Sequence, residues 1–125
     1  MKNILVAIFM LFSLSLMAEN NNYKATSMCY QIGDDKTSEW TPCDALLTIN
    51  VEQNLIMIYT NMVQRYDVKS IRLKQDDDCR FIIFNALDSD DDPVVLTLAI
   101  SDTGIRILVV CYDAYNVSYS IKELK

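Results

Sequence analysis

IRILVVCYDAYNVSYSI, residues 105–121, is the most strongly patterned stretch of the chain, and its reading decides the fold class. With a period of two, Ile105, Ile107, Val109 and Cys111 share one face of a strand. Beyond a turn at residues 113–115, Tyr115, Val117, Tyr119 and Ile121 share a face of the next. Two such runs joined by so short a link make an antiparallel β-hairpin. The returning strand alternates with Asn116, Ser118, Ser120 and Lys122, so one of its faces meets water. The outgoing strand differs, because its second face, Leu108, Val110 and Tyr112, is nearly as apolar as its first. This pattern predicts that Ile105, Ile107 and Val109 support the core and that Leu108, Val110 and Tyr112 are spare.

Working upstream, SDTG turns the chain out of VVLTLAI (residues 94–100), where Val94, Leu96, Leu98 and Ile100 alternate with Val95, Thr97 and Ala99. Before it come CRFIIFNAL (79–87), QRYDVKSIRLK (64–74), LIMIYT (55–60), LLTINV (46–51) and a β-forming run over residues 23–32. In QRYDVKSIRLK the apolar residues change parity, from Tyr66 and Val68 to Ile71 and Leu73. A straight strand would turn half of them to water, so a bulge is expected near Lys69 and Ser70. The linkers are short and polar: GDDKTS, EQN, QDDD, DSDDDP and SDTG. Parallel strands need crossovers of a dozen or more residues, so only up-and-down pairing is available. The expected fold is all-β, an antiparallel meander of about eight strands closing into a small barrel, with a two-sheet sandwich as the alternative.

The chain begins MKNILVAIFMLFSLSLMAENNN, with Lys2, an apolar run from residue 4 to residue 16, and Ala18 before a polar stretch. These features are those of a secretory signal peptide over residues 1–18. The run is short of the roughly 20 residues that cross a bilayer, so no span is expected after its removal. Residues 19–22 read as a flexible leader and residues 23–125 as one domain. The formal charge of −6 becomes −7 once Lys2 is removed, since residues 1–18 hold no acid. An acidic domain with scattered lysines has no footprint for phosphate backbones, which argues against nucleic acid.

Four cysteines, Cys29, Cys43, Cys79 and Cys111, accompany this export signal. If residues 33–38 turn the chain, Cys29 and Cys43 fall opposite each other on paired strands, and a disulfide between them is expected. Cys79 and Cys111 would stand at opposite ends of a meander, about 20 Å apart, and their pairing stays open.

There is no histidine, which removes Ser-His-Asp and Cys-His catalysis and the usual zinc and copper sites. Two isolated glycines exclude a glycine-rich phosphate loop, and no cofactor is expected. Carboxylate pairs remain, with Asp67 and Asp113 the only acids flanked by aromatic residues in or at the end of a strand. The acidic runs at residues 76–78 and 88–92 could hold calcium, but they lack the glycine and spaced glutamate of an EF-hand and read better as solvated turns. Tyrosine and tryptophan combine apolar area with a polar handle, so Trp40, Tyr59 and Tyr112, with Leu108 and Val110, are the expected ligand or partner surface.

The signal peptide, the W-x-P-C segment at residues 40–43, the LIMIYT strand and the closing VVCYDAY hairpin together resemble small secreted proteins of Bacteroides-type bacteria, some of them lipocalin-like. The resemblance implies an exported small β-barrel. The G-x-W signature of true lipocalins is missing, since Ser38 and Glu39 precede Trp40, and no site residue is carried over. The function expected is an exported, non-catalytic binding module for a small apolar molecule or a protein surface, secreted or periplasmic. The alternative is a surface-assembly subunit or inhibitor docking through a second apolar face, with homo-oligomer formation open. A carboxylate-dependent hydrolase is third.

Overall fold

A computed structural model describes residues 21–124, so the expected signal peptide lies outside the described residues. Eight antiparallel strands follow one another: β1 (Asn21–Ile32), β2 (Thr41–Asn50), β3 (Leu55–Tyr59), β4 (Val63–Gln75), β5 (Cys79–Leu87), β6 (Pro93–Ser101), β7 (Arg106–Cys111) and β8 (Tyr115–Glu123). Each pairs with the next, and β8 returns to β1, so the sheet is a closed barrel. Closure removes the free edges that an eight-stranded meander would otherwise expose. The first strand starts within the expected leader, since Asn21 and Asn22 pair with Ile49 and Thr48.

The barrel is filled by one side of every strand. Leu47, Ile49, Ile56, Ile58, Phe84, Leu96, Leu98 and Leu108 are the largest fully buried side chains, and Tyr23, Ala25, Tyr66, Ile82, Tyr119 and Ile121 join them in one cluster. The expected bulge in β4 is present as a register shift between Val68 and Ser70. Ser70 pairs with Asn85 and Ile71 with Phe84, so Ile71 and Leu73 pack against the core on the same side as Tyr66 and Val68.

The closing hairpin reverses the faces expected of its first strand. Leu108 and Val110 are buried in the core, whereas Ile105 is 58% exposed and Ile107 and Val109 are half-buried on the outer wall. The cause is the parity of the turn. Leu108 pairs with Tyr119 and Val110 with Val117, so even positions of β7 share a face with odd positions of β8. Because the polar alternation of β8 commits Tyr119 and Ile121 to the interior, Leu108 and Val110 must follow. The surplus apolar residues therefore stand outside, where Phe81, Ala99 and Ile107 form one cross-strand row and Ile83, Thr97 and Val109 the next.

The expected Cys29–Cys43 disulfide is absent, and all four cysteines are free. Again the reason is register. Met28 pairs with Tyr119 on the inner face, so Cys29, paired with Ser118, belongs to the other face of the wall. Cys43 packs against the core. A bulge in β1 between Ala25 and Ser27 brings Met28 opposite Thr41, which leaves Cys43 displaced along the strand as well. Cys79 and Cys111 are level with Ser101 and Val95 of β6 respectively, six residues or about 20 Å apart, as the meander requires.

Candidate functional site: a tyrosine-lined cavity at one end of the barrel

Four connections meet at the end of the barrel where β1, β3, β5 and β7 finish, namely residues 33–40, 60–62, 88–92 and 112–114. At this end the interior opens into a cavity of about 470 Å³, within the range of small-molecule sites. Its aliphatic surface comes from Val110 and Val117, which pair across β7 and β8, and from the exposed Met62 and Val63 at the start of β4. Tyr66, Tyr112, Tyr115 and Tyr119 supply the aromatic surface, and the connections 60–62 and 88–90 form the rim.

Each tyrosine is placed by strand parity. Tyr66 precedes the β4 bulge and so faces inward; Tyr119 faces inward opposite Leu108. Tyr112 and Tyr115 close the hairpin, with the Tyr112 N–H donating to the Tyr115 carbonyl at 2.8 Å. Being a cross-strand pair, their rings lie on one face and stack, centroids 5.1 Å apart at 22°. The Gly33 N–H donates to the Ala114 carbonyl at 2.8 Å, tying this turn to the first connection. Gly33 does so at φ 56°, a left-handed backbone that glycine adopts freely.

The polar atoms of the site form a connected set. The Tyr66 hydroxyl donates to Gln64 Oε1 at 2.8 Å, and the Tyr112 hydroxyl donates to Asp88 Oδ2 at 3.1 Å. Burial holds the Tyr66 phenol above its ordinary pKa, with the Tyr112 hydroxyl partly offsetting this. Tyr119 is likewise raised by burial and drawn partway back by its hydrogen bond with Gln64. Tyr112 is raised too, by burial first and then by the neighbouring Tyr66 hydroxyl and Asp88. These three phenols stay neutral at physiological pH and present π faces and hydroxyls rather than phenolates.

Asp88 carries the opposite perturbation. Its Oδ1 accepts the N–H groups of Asp90 at 2.9 Å and Asp92 at 3.0 Å, which folds the acidic loop and permits the left-handed φ of 61° at Asp91. The backbone N–H of Asp92 is the leading cause of its lowered pKa; that of Asp90 and the Tyr112 hydroxyl add to it. The carboxylates of Asp88, Asp90 and Asp92 converge to within 4.8 Å, a geometry that these loop hydrogen bonds already account for. Among the described residues, the one cationic side chain of the cavity wall, Arg65, is held by Asp67 at 3.4 Å.

Of the residues expected to form a ligand or partner surface, Val110 and Tyr112 line this cavity and Leu108 lies in the core. Tyr59 and Trp40 are exposed and do not contribute to it. Gln64 and Asp88 carry no local sequence signal for this role, and Tyr66, Tyr115 and Tyr119 are marked in the sequence only as apolar positions of their strands. Closure of the barrel brings β4 beside the β7–β8 hairpin across the interior, and no local pattern announces that. One signal was available: every tyrosine of the site lies within four residues of a strand end that the up-and-down topology sends to the same rim.

Comparison of the chain with protein-family models, with curated proteins and with solved structures found no match to any of them.

Proposed function

We propose that the protein is an exported, non-catalytic binding barrel that takes a small, partly apolar molecule into the tyrosine-lined cavity. The observation that carries this reading is the contrast within one interior. Most of it is packed with Leu, Ile and Phe, while one end leaves about 470 Å³ bounded by three valines, four tyrosines and a few convergent polar groups. Barrels of eight strands are wide enough to fill completely or to hold one small ligand. Here apolar packing gives way to amphipathic side chains at the end where the connections could admit a molecule.

Catalysis has little support. General acid work needs a carboxyl whose pKa is raised, and Asp88, the acid in contact with the tyrosine network, is shifted the other way. Asp67 is occupied by Arg65, and Asp113 stands exposed in the hairpin turn. With no histidine in the chain, the usual alternative base is missing.

Native mass spectrometry of protein purified from its host tests the proposal. A bound species of small mass is expected on the wild type and should be lost from Val117→Trp, in which the indole occupies the cavity. Retention of that species by a folded Val117→Trp variant would place binding elsewhere. Its consistent absence from the wild type would remove the reading.

A further inference from the structure

The binding reading leaves the chemistry of the ligand open, and the cavity walls narrow it. We propose, resting on that reading, that the cavity selects an organic cation: a molecule with a protonated amine or quaternary ammonium head and an apolar or aromatic body. Three independent features of the site converge on this class.

The first is charge. Asp88 and Asp90 face the cavity, and Asp88 is held firmly ionised by the N–H groups of its own loop and the Tyr112 hydroxyl. The one positive group of the wall, Arg65, already faces the Asp67 carboxylate, so the field inside is negative. An anionic ligand would meet Asp88 and Asp90 with only a guanidinium already ion-paired to Asp67 to attract it.

The second is the aromatic lining. Tyr66, Tyr112 and Tyr119 remain uncharged phenols, and their rings, with Tyr115, offer electron-rich faces at which a cation is stabilised. The stacked Tyr112–Tyr115 pair forms a flat wall beside Asp88, so a π surface and a carboxylate meet at one corner of the cavity. An ammonium placed there has both partners within reach. Asp88 Oδ2 accepts one hydrogen bond from Tyr112 and, as a carboxylate oxygen, can accept another.

The third is the apolar wall. Val110 and Val117, one step inward of Tyr112 and Tyr115 along the hairpin, carry no polar side-chain atom, so the cavity inward of the stacked tyrosines favours a hydrocarbon or aromatic body over a second polar head. An inorganic cation would leave this surface unused. A dipolar ligand with an amine and an apolar tail uses all of it.

The test compares three probes of one shape: 4-phenylbutylamine, 4-phenylbutan-1-ol and 4-phenylbutanoate, titrated calorimetrically into the full-length mature protein. The amine is expected to bind about tenfold more tightly than the alcohol, the difference that one carboxylate contact beside aromatic faces supplies, and the carboxylate most weakly. Asp88→Asn keeps the side-chain oxygen that organises the loop and removes the charge. In that variant the amine should lose about tenfold in affinity while the alcohol is unchanged within a factor of two. Equal affinity for amine and alcohol, or preference for the carboxylate, would overturn the choice of a cation while leaving the binding barrel intact. If none of the three binds and host-purified protein also carries no small molecule, both readings fall together.

Discussion

The two ends of the barrel are built from the same alternating strands yet finish in opposite ways. At the end holding the 51–54, 76–78 and 102–105 connections, Val51, Leu73 and Ile100 pack against the core, and the turns are joined by backbone hydrogen bonds. The Asp102 N–H donates to the Asp78 carbonyl at 3.1 Å, and the Val68 N–H to the Asn54 carbonyl at 2.8 Å. Buried Tyr23 stands here near Arg106 and Glu123. At the other end tyrosines replace aliphatic residues, and a cavity remains although Gly33 is hydrogen-bonded to Ala114 and Tyr112 to Asp88 across its rim. The difference lies in how one barrel fills its interior, closed at one end and open at the end where binding is proposed. Aliphatic side chains close space, whereas tyrosines on adjoining strands leave it open and carry hydroxyls to its rim.

If that division is correct, the largest stability losses come from the filled half. Phe84→Ala should cost about 3–5 kcal/mol in urea unfolding, from lost burial and the void left behind. Tyr112→Ala, at the mouth, should cost far less while abolishing ligand uptake. Equal losses at both sites would break the contrast.

Tyr66→Phe lies between the two regions. It leaves Gln64 Oε1 without its 2.8 Å donor in a partly buried place, and a loss of about 1–3 kcal/mol is expected. Double-mutant cycles with Tyr119→Phe should show coupling, because Gln64 serves both phenols.

Alkaline pH probes the tyrosines collectively. Tyr23, Tyr66 and Tyr119 are all held above the ordinary value of 10.0, burial being the first cause in each. The folded state therefore retains protons that the unfolded chain gives up. Their contribution is complete below the unfolded value and is lost as the pH rises through the folded ones. Urea midpoints should be level between pH 7 and about pH 8. They should begin to fall near pH 9, because burial also raises the Cys43 and Cys111 thiols from 9.0, and fall further above about pH 10 as the tyrosines titrate. A rise there would contradict the burial of these phenols.

The smallest effect expected is none. With four free cysteines, the unfolding midpoint of a chain of residues 19–125 should be unchanged by reductant, and thiol titration in denaturant should return four groups per chain. A midpoint that falls on reduction would show that a bridge had formed.

The strand count, the up-and-down order and the bulge in β4 were all legible in the sequence, because each follows from local alternation and linker length. The inward face of β7 was not. Both of its faces are apolar, and what decides between them is the pairing of Leu108 with Tyr119 across a turn whose parity is a matter of one residue. The cysteine pair failed for a related reason, since the β1 bulge between Ala25 and Ser27 changes the register that a smooth hairpin would have given. The site was legible only in its parts. Tyr112 and Val110 stood out, but their neighbours Tyr66, Gln64 and Asp88 come from distant segments that only barrel closure assembles.

The central claim is that the tyrosine-lined end is where this protein binds. Backbone amide chemical-shift mapping of residues 19–125 during titration with 4-phenylbutylamine tests it most directly. The predicted result is saturable perturbation confined to residues 60–66, 88–92 and 110–119, with the amides around Leu73, Ile100 and Leu124 unmoved. Perturbation centred on the outer rows of Phe81, Ile83, Ile107 and Val109, or no saturable change at any site, would contradict it.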